Sequence, residues 1–262
     1  MPIAQCPIPK EVFMAGKLDN KVAIITGASS GIGEATAIAL FAEKAKVAIA
    51  ARRGELLDKL AQRIEASGGE ALPIVADLTD ETQAKNLVQK VHAHYGRVDI
   101  LINNAGLALA GDIDGADTSD WRRMIDINLL GVLYVTHATL PIFKAQKAGH
   151  IVNISSVAGR TARAGIGVYN LTKWGINGFS EALRQEVYKD NIRVTIVEPG
   201  MVDTEIDSHI TDAIAKQRTI ERRNSITPLQ SEDVAAAIVY AVTQPQRVNV
   251  NEILIRPTEQ GW

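Results

Sequence analysis

Short apolar runs alternate along the chain with longer stretches whose apolar positions recur at helical spacing. The runs Val22–Thr26, Val47–Ala50, Ala71–Val75, Ile100–Ile102, Ile151–Ile154, Val194–Val197 and Glu252–Ile255 are nearly continuous rather than alternating. Strands covered on both faces read this way, because neither side meets water. Between them, Glu34–Lys44, Glu55–Ser67, Asp80–Tyr95, Thr118–Lys147 and Val168–Lys189 predict helices. Gly68-Gly69 and Gly96 are stop signals for two of these, and Ser231, followed by Glu232 and Asp233, predicts a capped start for a late helix.

Strand and helix in strict alternation predict an α/β fold, a doubly wound parallel sheet of about seven strands with helices on both faces. No Pro/Gly/Ser-rich linker, charge block or internal repeat divides the sequence. Residues 18–262 therefore read as a single domain. Residues 1–17 read as a loose N-terminal extension with Pro2, Pro7 and Pro9, in which Met14 is an alternative start and an arm onto a neighbouring subunit is the functional alternative. The polar, uneven stretch 203–228 follows a strand and is expected to form a substrate lid.

Composition narrows the function classes. A net charge of −2 provides no field to draw nucleic acid or an anionic membrane. No apolar run is expected to be long enough to span a bilayer, and the first residues, Met1 to Gly16, do not read as a signal peptide. The single cysteine, Cys6, cannot form an internal disulfide and fits a reducing, cytoplasmic location. His92, His94, His137, His150 and His209 are scattered without metal-ligand spacing, so no metal is expected. Trp121, Trp174 and Trp262 read as packing or interface residues, and Arg222-Arg223 as solvated charge with an acidic substrate as the alternative.

Val22 to Gly33 reads VAIITGASSGIG, a strand entering a glycine turn and then a helix. Gly27 permits the turn, Gly31 lets backbone approach a pyrophosphate, and Gly33 lets the helix pack close to the strand. The spacing is G-x-x-x-G-x-G, and by itself it also fits a plain strand-helix turn. At the end of the second strand, NAD sites usually carry an acid for the ribose hydroxyls, but this chain has Ala51-Arg52-Arg53. Arginine there pairs with a 2′-phosphate, so NADP is expected over NAD; capping of a solvated helix start is the other use of these arginines.

Tyr169 and Lys173 stand four apart and share a helix face. A lysine cation beside a phenol favours the phenolate and makes it a usable acid and base. Upstream, IVNISSVAG ends a buried strand in two hydroxyls, Ser155 and Ser156, able to stabilise charge on a carbonyl oxygen or to cap a turn. Spacing does not choose between them.

These motifs together resemble the short-chain dehydrogenase/reductase family over 18–255. The turn Thr26–Gly33, the Asn103-Asn104-Ala105-Gly106 motif, Asn128, Ser156, Tyr169, Lys173 and Pro199-Gly200 with Thr204 fall in the family's order. The resemblance implies a Rossmann fold and a carbonyl–alcohol oxidoreductase. It implies that Tyr169 supplies the proton, Ser156 rather than Ser155 polarises the carbonyl, Lys173 holds the nicotinamide ribose and lowers the tyrosine pKa, and Asn128 keeps a helix kink and a proton-relay water. The cofactor-facing set it implies is Gly27, Ser29, Ser30, Gly31, Ile32, Gly33, Arg52, Arg53, Asp77, Leu78, Asn104, Ala105, Gly106, Tyr169, Lys173, Pro199, Gly200, Val202 and Thr204. Ser156, Ala158, Gly159, Leu107 and Met201 are expected around the substrate. A homotetramer (or dimer) is implied, packed through the helices that carry Trp174 and 118–147.

Ser30 stands where some NADP-dependent relatives carry a basic residue. The C-terminal Arg-Pro-Thr-Glu-Gln lacks the Asp-Gly-Gly of many ketoacyl reductases, and with Glu181–Val187 is similar to clavulanate-dehydrogenase-type aldehyde reductases. A 3-oxoacyl thioester reductase and a non-catalytic NADP(H)-binding redox sensor are the alternative functions. A dehydratase or epimerase relative would need a larger substrate domain than this chain holds.

Overall fold

The computed structural model describes residues 16–261. The N-terminal extension up to residue 15, with Cys6 and Met14, and Trp262 at the other end lie outside the described residues. Seven strands form one parallel sheet: β1 (Val22–Thr26), β2 (Lys46–Ala51), β3 (Ala71–Val75), β4 (Ile100–Asn103), β5 (Gly149–Ile154), β6 (Ile192–Pro199) and β7 (Glu252–Ile255). Their spatial order is β3-β2-β1-β4-β5-β6-β7. The order reverses between β1 and β4, whose helical connections leave on opposite faces, and this opens a crevice at their C-terminal ends.

Among the described residues, the sheet is covered by α1 (Gly31–Ala42), α2 (Gly54–Ala66), α3 (Glu81–Tyr95), α5 (Gly131–Gln146), α6 (Gly167–Val187) and α8 (Ser231–Val242), while α4 (Thr118–Ile125) and α7 (Ala213–Asn224) lie away from it. Neighbouring strand residues point to opposite faces, so Ile24 and Ile25 enter different cores. Ile25, Ile49 and Ile102 pack with Leu40, Leu57 and Ile238 on the α1–α2–α8 side. Ile24, Leu101 and Ile151 pack with Leu87, Phe143 and Leu183 on the α3–α5–α6 side. Burial on both faces explains the unbroken apolar runs of the central strands, whereas the edge strands β3 and β7 are only partly covered.

Three expectations change. The helix foreseen over 118–147 is broken by a π-turn, Asp126–Leu130, between α4 and α5. The run Thr118–Gln146 also has the length and hydropathy of a membrane-crossing helix, contrary to the reading that no apolar run is long enough. Part of its apolar face has protein partners: Val135 and Phe143 are fully buried in the core against α3 and β5, while Leu133 is exposed. The cap of α8 is Gln230, one residue before the expected Ser231. Gln230 N–H donates to Asp233 Oδ2 at 2.8 Å, and the Gln230 side chain accepts from the Asp233 N–H in return. A capping box needs only an acceptor at the cap and an acid three residues on, and glutamine with aspartate meets that requirement.

Candidate functional site

A cleft of about 820 Å³ lies over the C-terminal ends of the central strands. On one side is the glycine turn. Gly27 has φ +65° and Gly31 φ +57°, in the left-handed region where a Cβ is strained. A Cβ on Gly27 would lie 2.8 Å from Ala105 Cα, so the turn and the β4 loop touch backbone to backbone. Asn104 locks that contact by donating to the carbonyls of Thr26 (2.9 Å) and Gly27 (3.2 Å). Gly33 does not line the cleft. It sits where a side chain would collide with the Gly27 carbonyl, which is the close helix-strand packing expected of it.

The two arginines after β2 are placed differently. Arg53 reaches back across the turn, donating to Ser29 Oγ (3.0 and 3.1 Å) and Ser30 Oγ (2.6 Å), and pairs with Glu205 at 2.9 Å. Arg52 stands exposed at the rim and makes no hydrogen bond or ion pair among the described residues. Asp77 and Leu78 line the same end. Asp77 Oδ1 accepts from the Thr79 N–H and hydroxyl, so its carboxylate is turned into its own loop.

Across the cleft, α6 presents Tyr169 and Lys173. Ser156, at the end of β5, lines the cleft beside Tyr169, near enough for its hydroxyl to pull the Tyr169 pKa down, and its Oγ donates to the Pro199 carbonyl at 3.5 Å. The same oxygen accepts from the Ala158 N–H at 3.1 Å, so this serine also caps the short 3-10 turn Val157–Gly159. Ser155 points the other way and donates to the Lys173 carbonyl at 3.3 Å. The geometry thus separates the two serines that spacing could not.

The lysine effect expected on the tyrosine does not dominate here. Burial pushes the Tyr169 hydroxyl up to about 12, the Ser156 hydroxyl pulls it down less, and the nearby Asp207 charge raises it further. Lys173 Nζ lies 5.6 Å from the Tyr169 ring centre and donates to the Ile154 carbonyl at 2.9 Å. Burial lowers Lys173 to about 8.

Asn128 sits in the π-turn, buried behind the cleft rather than in its wall. Its amide exchanges two 2.8 Å hydrogen bonds with the Leu107 backbone and donates to Thr172 Oγ1 at 3.1 Å. It therefore pins the β4 loop to α6, and a π-turn stands at the position where a helix kink was expected.

Ala158, Leu107 and Met201 line the cleft as expected; Gly159 does not, being packed against Ser155 Oγ, Asn177 and the Lys173 carbonyl. Ile32, Ala105, Gly106, Pro199, Gly200, Val202 and Thr204 also line it. The stretch 203–228 carries a 3-10 turn, Glu205–His209, and α7, and Thr204 to Asp207, His209, Ile210 and Thr219 border the cleft.

Four supporting features left no local mark in the sequence. Asp207 lines the cleft from the 3-10 turn, paired with Arg223 at 3.3 Å. Asn170, one residue after Tyr169, donates to the carbonyls of Ala158 (2.7 Å) and Thr161 (2.9 Å) and clamps the loop after Ser156. Glu198 is fully buried and receives both Arg160 nitrogens at 2.7 Å and Asn177 Nδ2 at 2.7 Å, with Glu252 completing the arginine's partners. Glu205 belongs to the Arg53 cluster.

Compared with known proteins, residues 21–215 match the family model described as short chain dehydrogenase. An uncharacterized oxidoreductase of Listeria innocua is 43% identical over 249 residues, covering 94% of this chain and 99% of the relative. The closed form of a serine dehydrogenase complexed with NADP+ superposes with a TM-score of 0.85 at 32% identity, over 92% of this chain and 96% of that one. A short chain dehydrogenase/reductase from Burkholderia phymatum in complex with NAD gives 0.84 at 26% identity, over 91% and 89%.

Proposed function

The chain belongs to the short-chain dehydrogenase family, and from that premise we propose that it is an NADP(H)-dependent reductase that converts a carbonyl to an alcohol and back. The observation that carries this is the convergence of Ser156, Tyr169 and Lys173 on one cleft whose other end is a glycine turn.

The cleft fits a dinucleotide. Gly31 leaves room beside the start of α1, where free amides and the helix dipole favour a pyrophosphate. Ser29, Ser30 and Arg53 form a polar cluster for a 2′-phosphate, and Arg52 offers a second guanidinium at the rim. No acid stands at the end of β2 to favour a bare ribose. Known structures of similar proteins carry NADP+ in one case and NAD in another, so the arginines decide the preference proposed here.

When bound, the nicotinamide supplies the hydride. Tyr169, held protonated by burial, donates its proton to the carbonyl oxygen, so one C–H and one O–H bond form and the alcohol leaves neutral. Ser156 donates a hydrogen bond to the same oxygen and stabilises its developing charge. Lys173, a cation near neutral pH anchored on the Ile154 carbonyl, would hold the ribose hydroxyls of the bound cofactor beside Tyr169. Asn128 positions the β4 loop. The segment 203–228 closes over the substrate as a lid. Exposed Leu171, Trp174 and Tyr188 on and after α6 support a homotetramer or dimer packed through that helix. A finer likeness to clavulanate-dehydrogenase-type reductases rests on Glu181–Val187 and the C-terminal tail alone.

The test follows NADPH absorbance with a panel of aldehydes, ketones, ketoesters and ketoacyl thioesters. Turnover should fall by about a thousandfold or more in Tyr169→Phe while NADPH still binds. Tight NADPH binding with no turnover on any member would favour a redox sensor and sink the reductase reading.

A further inference from the structure

Between Ser156 and Tyr169 the chain loops out along the substrate end of the cleft, and one cation on this loop has no part in the chemistry above. Arg163 lines the cleft beside Thr161, Ala162 and Ile166. Its backbone is fixed, because its N–H donates to Asn170 Oδ1 at 3.2 Å while Asn170 holds the carbonyls of Ala158 and Thr161. The position of Arg163 is thereby tied to the residue next to Tyr169.

The guanidinium is half-buried, and among the described residues no carboxylate oxygen lies within 4.0 Å of it. This sets it apart from Arg53, Arg123, Arg160 and Arg223, each of which holds a carboxylate. Its environment is unfavourable to a cation: burial lowers Arg163 below the usual guanidinium range, and the Arg222 charge acts in the same direction. Asp207, which lines the same cleft, is paired with Arg223 at 3.3 Å. A charge withdrawn from water without a partner costs free energy that an arriving counter-ion returns. Guanidinium also presents a fork matched to two oxygens of one group.

We infer that the substrate carries an anionic oxygen group, a carboxylate or a phosphate monoester, which Arg163 receives while the carbonyl faces Ser156 and Tyr169. This rests on the carbonyl-reductase reading. It adds that the anion and the carbonyl lie at a limited range of spacings, since the backbone of Arg163 is tied to Asn170, the residue after Tyr169.

The experiment uses the purified full-length protein with NADPH and matched substrates. 4-Oxobutanoate is compared with butanal and with trimethylammonioacetaldehyde, and glyceraldehyde 3-phosphate with glyceraldehyde. In the wild type, one anionic substrate should exceed its neutral partner in kcat/KM by about tenfold or more, the size expected of a hydrogen bond to a charged group. The pair that shows the preference identifies the carrier as carboxylate or phosphate. The ratio should collapse toward one in Arg163→Gln and survive in part in Arg163→Lys. Equal or better use of neutral or cationic carbonyls by the wild type, or a ratio untouched by Arg163→Gln, overturns the inference.

Calorimetric titration of butanoate and glycerol 3-phosphate into the NADPH complex supplies a readout that needs no turnover. One of them should bind the wild type and bind Arg163→Gln about tenfold more weakly. Butanal turnover without anion preference would remove Arg163 and leave the reductase standing. Anion binding lost in Arg163→Gln without turnover of any carbonyl would do the reverse, and neither turnover nor anion binding would overturn both.

Discussion

Lys173 is buried beside the reacting groups, and replacing it by methionine has a calculable effect on stability. In the folded protein its amine is lowered from 10.5 to about 8 by burial. At neutral pH it is nevertheless charged, so the native state carries the cost of a buried cation. The difference amounts to about 3 kcal/mol, at 1.36 kcal/mol per tenfold change. Lys173→Met removes that cost and leaves the Ile154 carbonyl without its 2.9 Å donor, a loss of about 1–3 kcal/mol that does not depend on pH. The sign of the pH dependence follows from proton counts. Between about pH 8 and 10.5 the unfolded lysine binds a proton that the folded one has released, so the wild type gains stability as pH rises. The variant has nothing to titrate. Its stability relative to the wild type should therefore be highest at pH 7 and fall by about 2–3 kcal/mol by pH 10.5. Urea unfolding of both proteins across this range measures the difference, and shared titrations cancel. A difference flat in pH, or one that rises, would refute the placement of Lys173 as a buried, desolvated amine. Turnover should be lost in the variant at every pH.

Three further predictions concern the cofactor end. Arg52→Ala should weaken NADPH binding about tenfold or more relative to NADH, measured by fluorescence titration, whereas equal weakening of both would remove the 2′-phosphate from Arg52. Glu205→Gln takes away a carboxylate that competes for Arg53. Both partners of that pair are exposed, so it is worth at most about 1 kcal/mol, and NADPH should tighten about two- to fivefold with NADH little changed. Weaker NADPH binding in that variant would mean Glu205 organises the cluster instead. Gly33→Ala places a methyl against the Gly27 carbonyl and 2.5 Å from Asn104 Nδ2. It should cost about 1–3 kcal/mol in thermal unfolding and lower the affinity for both cofactors, and a fully stable variant with intact affinity would contradict the packing.

The central strands were legible because each is buried on both faces, and continuous apolar runs survive in one dimension; the edge strands β3 and β7 kept short apolar runs although Val75 and Leu254 are exposed. The glycine turn, Tyr169 and Lys173 were legible for the same reason, since turn geometry and a shared helix face depend on near neighbours. Partners remote in sequence were not. Arg53 meets Glu205 and Arg160 meets Glu198 only through the fold, and charges that far apart leave no periodic trace. Ser155 and Ser156 share one motif, yet strand pleat sends one toward the Lys173 carbonyl and the other toward Tyr169. Gly159 sits in the same motif but packs away from the cleft because α6 approaches it closely. The break at Asp126–Leu130 was invisible to periodicity, which continues through an inserted residue with only a change of phase.

The reversal of strand order between β1 and β4 also has a kinetic consequence. Along the sheet, β1 and β2 pair Val22 with Lys46, but β1 and β4 pair Ala23 with Ile100. Joining the latter closes a loop roughly threefold longer, at an entropic cost greater by about 1 kcal/mol. The two halves of the sheet can each condense over shorter loops before this seam closes, and the cleft does not exist until it does. A dinucleotide lying across the seam would then bind only the finished protein, and would slow unfolding by bracing the join that forms last.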